Sequence, residues 1–396
     1  MSTRKPSPQP APRRARPADR KRQLAANAAA LFLERGYPQV SVADVARAAG
    51  VTAPSVYRHF VDKQDLLAAA VLTGVDNLED CTERALRGVP RPLPELVDTL
   101  CEFGIRHPES LSLWRWTSNY LTTEQNRHVV ERTRRVLARW VAVVAIDRPE
   151  LSERDCRLLA WATVSVAGSM SVHHTRMSGV RAHAELTTLI GRLLQLEPAT
   201  ALPLPTPTPI SALTWTRRDE ILDAAAQLFA ARGYSDVGVD EIGAAVGITG
   251  PSVYKHFSSK FAVLLGICQR SAMRLEAGVL AAQSSTADPA KLLGMLVDSY
   301  VTVITATPDL SVAFNSSAVL AGQPAAVELL DIQRRYVRRW VDLLIQVSPD
   351  LRADQAAVAV HAALSIVNDA VQMRRGVQRP EFASHMAYLM KGILAV

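Results

Sequence analysis

Residues 20–67 recur at 217–264 without a gap, and close to half of the aligned positions are identical, where average composition gives roughly one in sixteen. Leu31-Phe32, Arg35-Gly36-Tyr37 and Pro54-Ser55-Val56-Tyr57 stand against Leu228-Phe229, Arg232-Gly233-Tyr234 and Pro251-Ser252-Val253-Tyr254. A weaker correspondence continues at an offset of 200, where Arg139-Trp140-Val141 faces Arg339-Trp340-Val341. The period is far beyond the roughly 20–50 residues of a solenoid repeat, so it describes a two-part unit present twice. Between the copies, Pro198, Pro203, Pro205, Pro207 and Pro209 alternate with Thr and Leu, a composition that favours an extended, semi-rigid spacer. The predicted organisation is a basic arm (1–18), a short-helix segment (19–70), a helical domain (71–196), a linker (197–214), a second short-helix segment (215–267) and a second helical domain (268–396).

Both short-helix segments open alike. Leu24, Ala28, Leu31 and Phe32 fall at i, i+4, i+7 and i+8, and Ile221, Ala225, Leu228 and Phe229 repeat the stripe. Gly36 and Gly233 follow a basic residue, as expected past a helix C-terminus. Ser41 is placed to cap a short helix carrying Val42, Val45 and Ala46; its counterpart starts at Gly238, helped by Asp240 and Glu241 near the positive end of the helix dipole. Gly50 and Gly247 supply a turn, and a third helix follows, with Thr52 or Thr249 at its cap and Pro54 or Pro251 in its first turn.

Helix, short helix, turn, short helix is the helix-turn-helix plan, whose second short helix enters the DNA major groove. Thr52, Ala53, Pro54 and Ser55, with Thr249, Gly250, Pro251 and Ser252, are small enough for close approach to a duplex. Tyr57 and Tyr254 offer a phenol to a phosphate, while Arg58, Lys63, Lys255 and Lys260 supply cations. Ser41 completes the expected contact set. His59 and His256 suit a packed or capping role as readily as a phosphate contact, whereas Val56, Val253, Phe60 and Phe257 fall on the buried side of the period.

The run from Ala28 through Arg35-Gly36-Tyr37, Val45-Ala46, Val56-Tyr57-Arg58-His59-Phe60 and Lys63 to Leu66-Leu67 resembles the N-terminal domain of TetR-family transcriptional regulators, and so does its second copy. The resemblance implies an all-α protein: each unit a helix-turn-helix domain followed by some six helices that form an effector pocket and a dimer interface. Two copies in one chain depart from the usual single-copy plan and resemble the tandem TetR regulators of actinobacteria, one of which represses a mammalian-cell-entry lipid-uptake operon. The expected arrangement is then an intramolecular pseudo-dimer that leaves further dimerisation open. The expected partners are a double-stranded operator with an imperfect inverted repeat and a hydrophobic, lipid- or steroid-like effector that releases the repressor.

Two apolar stripes fit such pairing: Leu186, Leu189, Ile190, Leu193 and Leu194, answered at an offset of 200 by Met386, Leu389, Met390, Ile393 and Leu394. Ordinary core faces would look the same. Candidate pocket groups are Trp114, Trp116, Trp161 and His173 in the first copy, and Asn315, His361, Asn368 and Met373 in the second. At equivalent places Trp161 stands opposite His361 and His173 opposite Met373, so two cavities would not accept the same molecule.

Residues 1–22 hold eight Lys and Arg against Asp19 alone, a net +7 that equals the charge of the whole chain. Such an arm suits a nucleic-acid contact or a solubilising tail equally. Cys81, Cys101, Cys156 and Cys268 are scattered, without CxxC or metal-ligand spacing, which fits buried thiols in a reducing cytoplasm and predicts no metal and no cofactor. No apolar run is long enough to span a bilayer, so no membrane partner is expected. The phosphate-loop, nucleophile-elbow and zinc-protease motifs are all missing, and no enzyme activity is expected. Against the ligand-released repressor stands an effector-independent architectural or scaffold protein.

Overall fold

The computed structural model describes residues 17–89, 91–113, 120–173, 175–204, 216–373 and 379–396. Among these residues there is no strand. The first unit runs α1 (Pro17–Arg35), α2 (Val42–Ala48), α3 (Ala53–Tyr57), α4 (Lys63–Leu86), α5 (Leu93–Arg106), α6 (Thr123–Asp147), α7 (Glu153–Gly168) and α8 (Gly179–Leu194). The second runs α9 (Arg217–Arg232), α10 (Val239–Ala245), α11 (Gly250–Val253), α12 (Lys260–Ser285), α13 (Pro289–Ala306), α14 (Asp309–Asn315), α15 (Ser317–Ala321), α16 (Val327–Val347), α17 (Ala353–Gln372) and α18 (Phe382–Leu394). No single helix among the described residues is long and apolar enough to cross a membrane.

Local chemistry sets the helix ends. Gly36 and Gly233 adopt φ of +80° and +86°, and their N–H groups donate back to the carbonyls of Phe32 and Phe229. A side chain would be strained in that backbone region, which is why glycine ends both helices. Thr122 caps α6 with a reciprocal box to Gln125, and Ser152 caps α7 through the Asp155 N–H.

Three apolar cores result. One gathers α1 to α3 with the start of α4, a second gathers α9 to α11 with the start of α12, and a third, much larger core draws on both units at once. α4 buries Leu66, Leu67 and Val71 in the first core, then Val75, Leu78 and Cys81 in the shared one. α12 does the same, with Val263, Leu264 and Ile267 followed by Leu275 and Val279. The divisions expected after residues 70 and 267 therefore fall inside continuous helices, because one unbroken apolar stripe serves two cores. Each of these helices is a rigid strut between a head and the body.

The shared core is where the copies meet. α7 packs on α17, and α8 packs on α18. The two stripes, Leu186 to Leu194 and Met386 to Leu394, are buried in the same cluster. Trp140 and Trp340, the matched tryptophans of the repeat, are fully buried there. The start of the linker is docked: residues Pro198–Thr200 form a 3-10 turn, the Glu197 N–H donates to the Tyr388 hydroxyl at 3.2 Å, and the Leu204 N–H donates to Ser384 Oγ at 3.2 Å. The expected spacer therefore begins with a docked turn against α18, and residues 205–215 lie outside the described part.

Candidate nucleic-acid interface and companion cavity

Each head presents one short helix to solvent. In the first, Ser41 Oγ accepts from the Asp44 N–H at 3.2 Å and Asp44 Oδ2 accepts from the Ser41 N–H at 2.9 Å, which fixes the start of α2. The Ser41 hydroxyl, donating to Asp44 Oδ2 at 2.5 Å, and then the Ser41 N–H hold the Asp44 carboxyl down at about 2. Gly238 lacks the side chain for such a box, and only the return bond exists, from the Gly238 N–H to Glu241 Oε2 at 2.7 Å. Gly50 and Gly247, at φ of +64° and +70°, turn the chain into α3 and α11.

The presenting faces are built alike. Val56, Val253, Phe60 and Phe257 are buried, while Tyr57 and Tyr254 stand 55% and 53% exposed. Thr52, Pro54 and Arg58, like Thr249, Pro251 and Lys255, are exposed, and no ion pair holds Arg58 or Lys255 among the described residues. Ser55, Ser252, His59 and His256 are half-buried at the helix edges. The threonines sit at the N-cap positions without making a side-chain cap; Thr52 Oγ1 and Ser55 Oγ lie 3.1 Å apart, and Thr249 Oγ1 and Ser252 Oγ 3.0 Å apart. Each face thereby offers a joined pair of hydroxyls rather than two independent ones.

Three expected contacts are placed differently. Lys63 Nζ lies 4.2 Å from the Tyr37 ring centroid and donates to the Pro38 carbonyl at 3.4 Å. Lys260 Nζ donates to the Val237 carbonyl at 2.7 Å and lies 4.5 Å from the Tyr234 ring centroid. Burial lowers the pKa of both amines. They brace the α1–α2 and α9–α10 connections instead of projecting as free cations. Gly250 is buried, and a Cβ there would come within 1.8 Å of Asp240 Oδ1. The first copy has Ala43 and Ala53 at these two places, so Gly250 accommodates Asp240 and is a packing residue.

Lys21 and Arg218, outside the expected contact set, add one further cation to each head. Lys21 Nζ lies 5.2 Å over the Phe60 ring and the Arg218 guanidinium 4.0 Å over the Phe257 ring, beside the end of the presenting helix in each head. Arg218 also donates to the His256 carbonyl at 2.6 Å. Both are basic at the same offset of 197, and that shared charge was the available signal.

The bodies differ. The second unit encloses a cavity of about 390 Å³, lined by Ala272, Leu275, Tyr300, Tyr336, His361, Asn368 and Asp369 among others, and its wall is completed by Leu33, Ser112, Ser171 and Val172 of the first unit. The Tyr300 hydroxyl donates to Asn368 Oδ1 at 2.7 Å. The corresponding place in the first unit is a void of about 30 Å³ between Val75, Leu137, Trp161 and Met373. Of the predicted pocket groups, His361 and Asn368 line the large cavity, and Asn315 stands behind it, accepting from Gln372 Nε2 at 2.6 Å. Trp161 and Met373 meet around the small void, while His173 stacks on His361 with ring centroids 4.6 Å apart. His173 and Met373 have therefore changed sides: each completes the other copy's body, because α7 and α17 run together across the interface. Burial depresses the His361 pKa to about 4. Trp114 and Trp116 lie outside the described residues, as does the arm before residue 17.

A buried ion cluster ties this cavity to the second head. Asp309, fully buried at the start of α14, accepts from Arg270 Nε at 2.7 Å and Nη2 at 2.8 Å, and from Arg274 Nη1 at 2.7 Å. Arg270 Nη1 also pairs with Asp223 of α9 at 2.7 Å. The chain of contacts runs from the α14 wall of the cavity, through the strut α12, into the head. In the first copy the matching positions are Ala26, Thr73 and Glu109, which form no such cluster.

Comparison with known proteins agrees with the repeat. The profile of bacterial regulatory proteins of the tetR family matches residues 24–70 and again 221–267. The transcriptional repressor KstR2 of Mycobacterium tuberculosis is 30% identical over 146 residues, a match that takes in 35% of this chain and 73% of that protein. The transcriptional activator FasR of Mycolicibacterium smegmatis is 38% identical over 84 residues, covering 21% of this chain and only 38% of FasR. The solved structure of the regulator PfmR of Thermus thermophilus is 21% identical, with a TM-score of 0.38, and aligns with 43% of this chain and 94% of its own.

Proposed function

This chain belongs to the TetR family of bacterial regulatory proteins, and from that premise we propose that it is a sequence-specific transcriptional repressor whose single chain supplies both recognition helices of a pseudo-dimer. The observation that carries the reading is the shared core between the copies. The last helices, α8 and α18, carry the stripes to which the family resemblance assigns the joining of two subunits, and here they pack together, with α7 on α17, within one chain. The two exposed faces, Thr52 to Arg58 and Thr249 to Lys255, are close to identical, so the operator is an inverted repeat with similar halves. Its two half-sites are centred about one DNA turn apart, roughly 34–36 Å. Tyr57, Tyr254, Arg58 and Lys255 position the heads on phosphates, and the paired hydroxyls of Thr52-Ser55 and Thr249-Ser252 approach the bases. In this reading the protein works in the cytoplasm.

The second copy is the sensing one. Its cavity is mostly apolar with a few polar groups, the composition of a pocket for a hydrophobic molecule, whereas the void among the described residues at the corresponding place of the first copy, about 30 Å³, is too small for one. An occupant touching α12 and α14 bears on the Asp223–Arg270–Asp309 cluster and hence on the second head. KstR2 is a repressor by name, and its likeness supports that sign of regulation. The test is native mass spectrometry on a minimal inverted repeat, with acyl- or steroid-type thioesters added. One chain per repeat, released by such a ligand, is expected. Two chains per repeat would overturn the single-chain dimer, and affinity unmoved by hydrophobic ligands would favour an effector-independent architectural protein.

A further inference from the structure

Across the contact between the copies, Arg154 pairs with Glu381 and Arg181 pairs with Asp354. At the repeat offset of 200, Arg154 corresponds to Asp354 and Arg181 to Glu381. The two ion pairs are thus one contact repeated by the pseudo-two-fold axis, with both bases on the first copy and both acids on the second. A second layer has the same property. Glu185 Oε2 accepts from Gln355 Nε2 at 2.9 Å, and its symmetry mate sets Asp155 beside His385, the charge of Asp155 opposing the downward shift that burial imposes on that imidazole. Asp155 and Glu185 are 5% and 6% exposed.

A symmetric dimer repeats every contact, residue i on j and j on i. If the first copy paired with another first copy, Arg154 would meet Arg181 twice and the buried Asp155 would meet Glu185 twice. Pairing of two second copies would set Asp354 against Glu381 twice. We infer that the interface is charge-coded: the first copy accepts only the second, and each copy is disfavoured from joining its own kind in another chain. Exposed pairs of this sort add little to stability, but like charges forced together discriminate strongly between partners. The partner that fits each face is the unlike copy, which the same chain supplies, so like-copy contacts do not join one chain to another through these helices. This pairing rule is independent of DNA and effector binding.

The test is a protease site placed within residues 205–215 of the full chain, which is purified intact, nicked, unfolded and refolded, and weighed by native mass spectrometry. The wild-type halves should recombine as unlike pairs, with like pairs below about one part in ten. The variant Arg154→Asp, Glu381→Arg, Glu185→Gln keeps every intramolecular pair matched while making each copy complementary to itself. Its like pairs should rise towards roughly a quarter of the total each, the statistical share for two interchangeable halves. Like pairs from the wild type, or none from the variant, would overturn the inference. In the intact chain, Arg154→Asp should lower the unfolding midpoint and Glu381→Arg should restore it. Losses that simply add in the double variant would overturn it equally.

Discussion

Replacing Asp309 by Asn tests whether the buried cluster is the joint between cavity and head. The change removes the carboxylate that bonds both Arg270 and Arg274, at a site with no exposed surface. Breaking a buried ion pair from one side costs about 3–5 kcal/mol, because the other charge is left without compensation. Here the lower end applies: Arg270 retains Asp223, whose carboxylate is 34% exposed, and the Arg274 side chain, 30% exposed, can turn to water. Because the copies share one core and unfold together, a loss of about 3 kcal/mol lowers the unfolding midpoint by roughly 4 °C. Calorimetry should show that fall, with a control, Arg339→Gln, which removes a half-exposed pair to Glu276, moving the midpoint by about one degree at most. Arg270→Gln and Asp309→Asn should also fail to add, since both break the same cluster. A midpoint shift no larger than the control, or simple additivity, would refute the argument. If the cluster stands intact but carries nothing, Asp309→Asn would leave the affinity of the second head for its half-site unchanged.

Three further outcomes follow from the same geometry. Arg58→Ala or Lys255→Ala should weaken binding to all DNA sequences alike and reduce the slope of log K against log salt by about one per phosphate lost, measured by fluorescence anisotropy, whereas Lys63→Ala should act mainly on thermal stability because its amine is held by Pro38 and Tyr37. A hydrophobic probe should bind once per chain in isothermal titration, and Ala272→Trp, which fills the large cavity, should abolish that binding; two sites per chain would contradict the asymmetry of the bodies. His361, depressed from 6.5 to about 4, stays neutral in the fold while the unfolded chain protonates, so its contribution is complete above pH 6.5 and is lost as pH falls towards 4, at roughly 3 kcal/mol in all. His361→Phe should flatten that part of the stability–pH curve, and an unchanged curve would mean that the imidazole is hydrated.

The amino-acid order by itself determined the architecture. Periodic apolar residues and glycine at the positive-φ ends act within a few turns of chain and so state the helices, and a repeat at a constant offset, visible by laying the chain on itself, states that the head and body each occur twice. The buried side of α3 and α11 was equally legible, since Val56 and Phe60 obey a period. What the tertiary structure alone decided is everything that depends on which side chains converge from distant helices. Lys63 and Lys260 read as free cations until the loops from Tyr37 and Val237 were seen to hold them. Gly250 read as a contact residue until Asp240 was found above it. By sequence alone His173 and Met373 belong to their own copies' pockets, yet in the fold each crosses to the other. The unequal cavities and the Asp223–Arg270–Asp309 cluster belong to the same class, because a space or a buried ion pair is set by packing between helices and has no period along the chain.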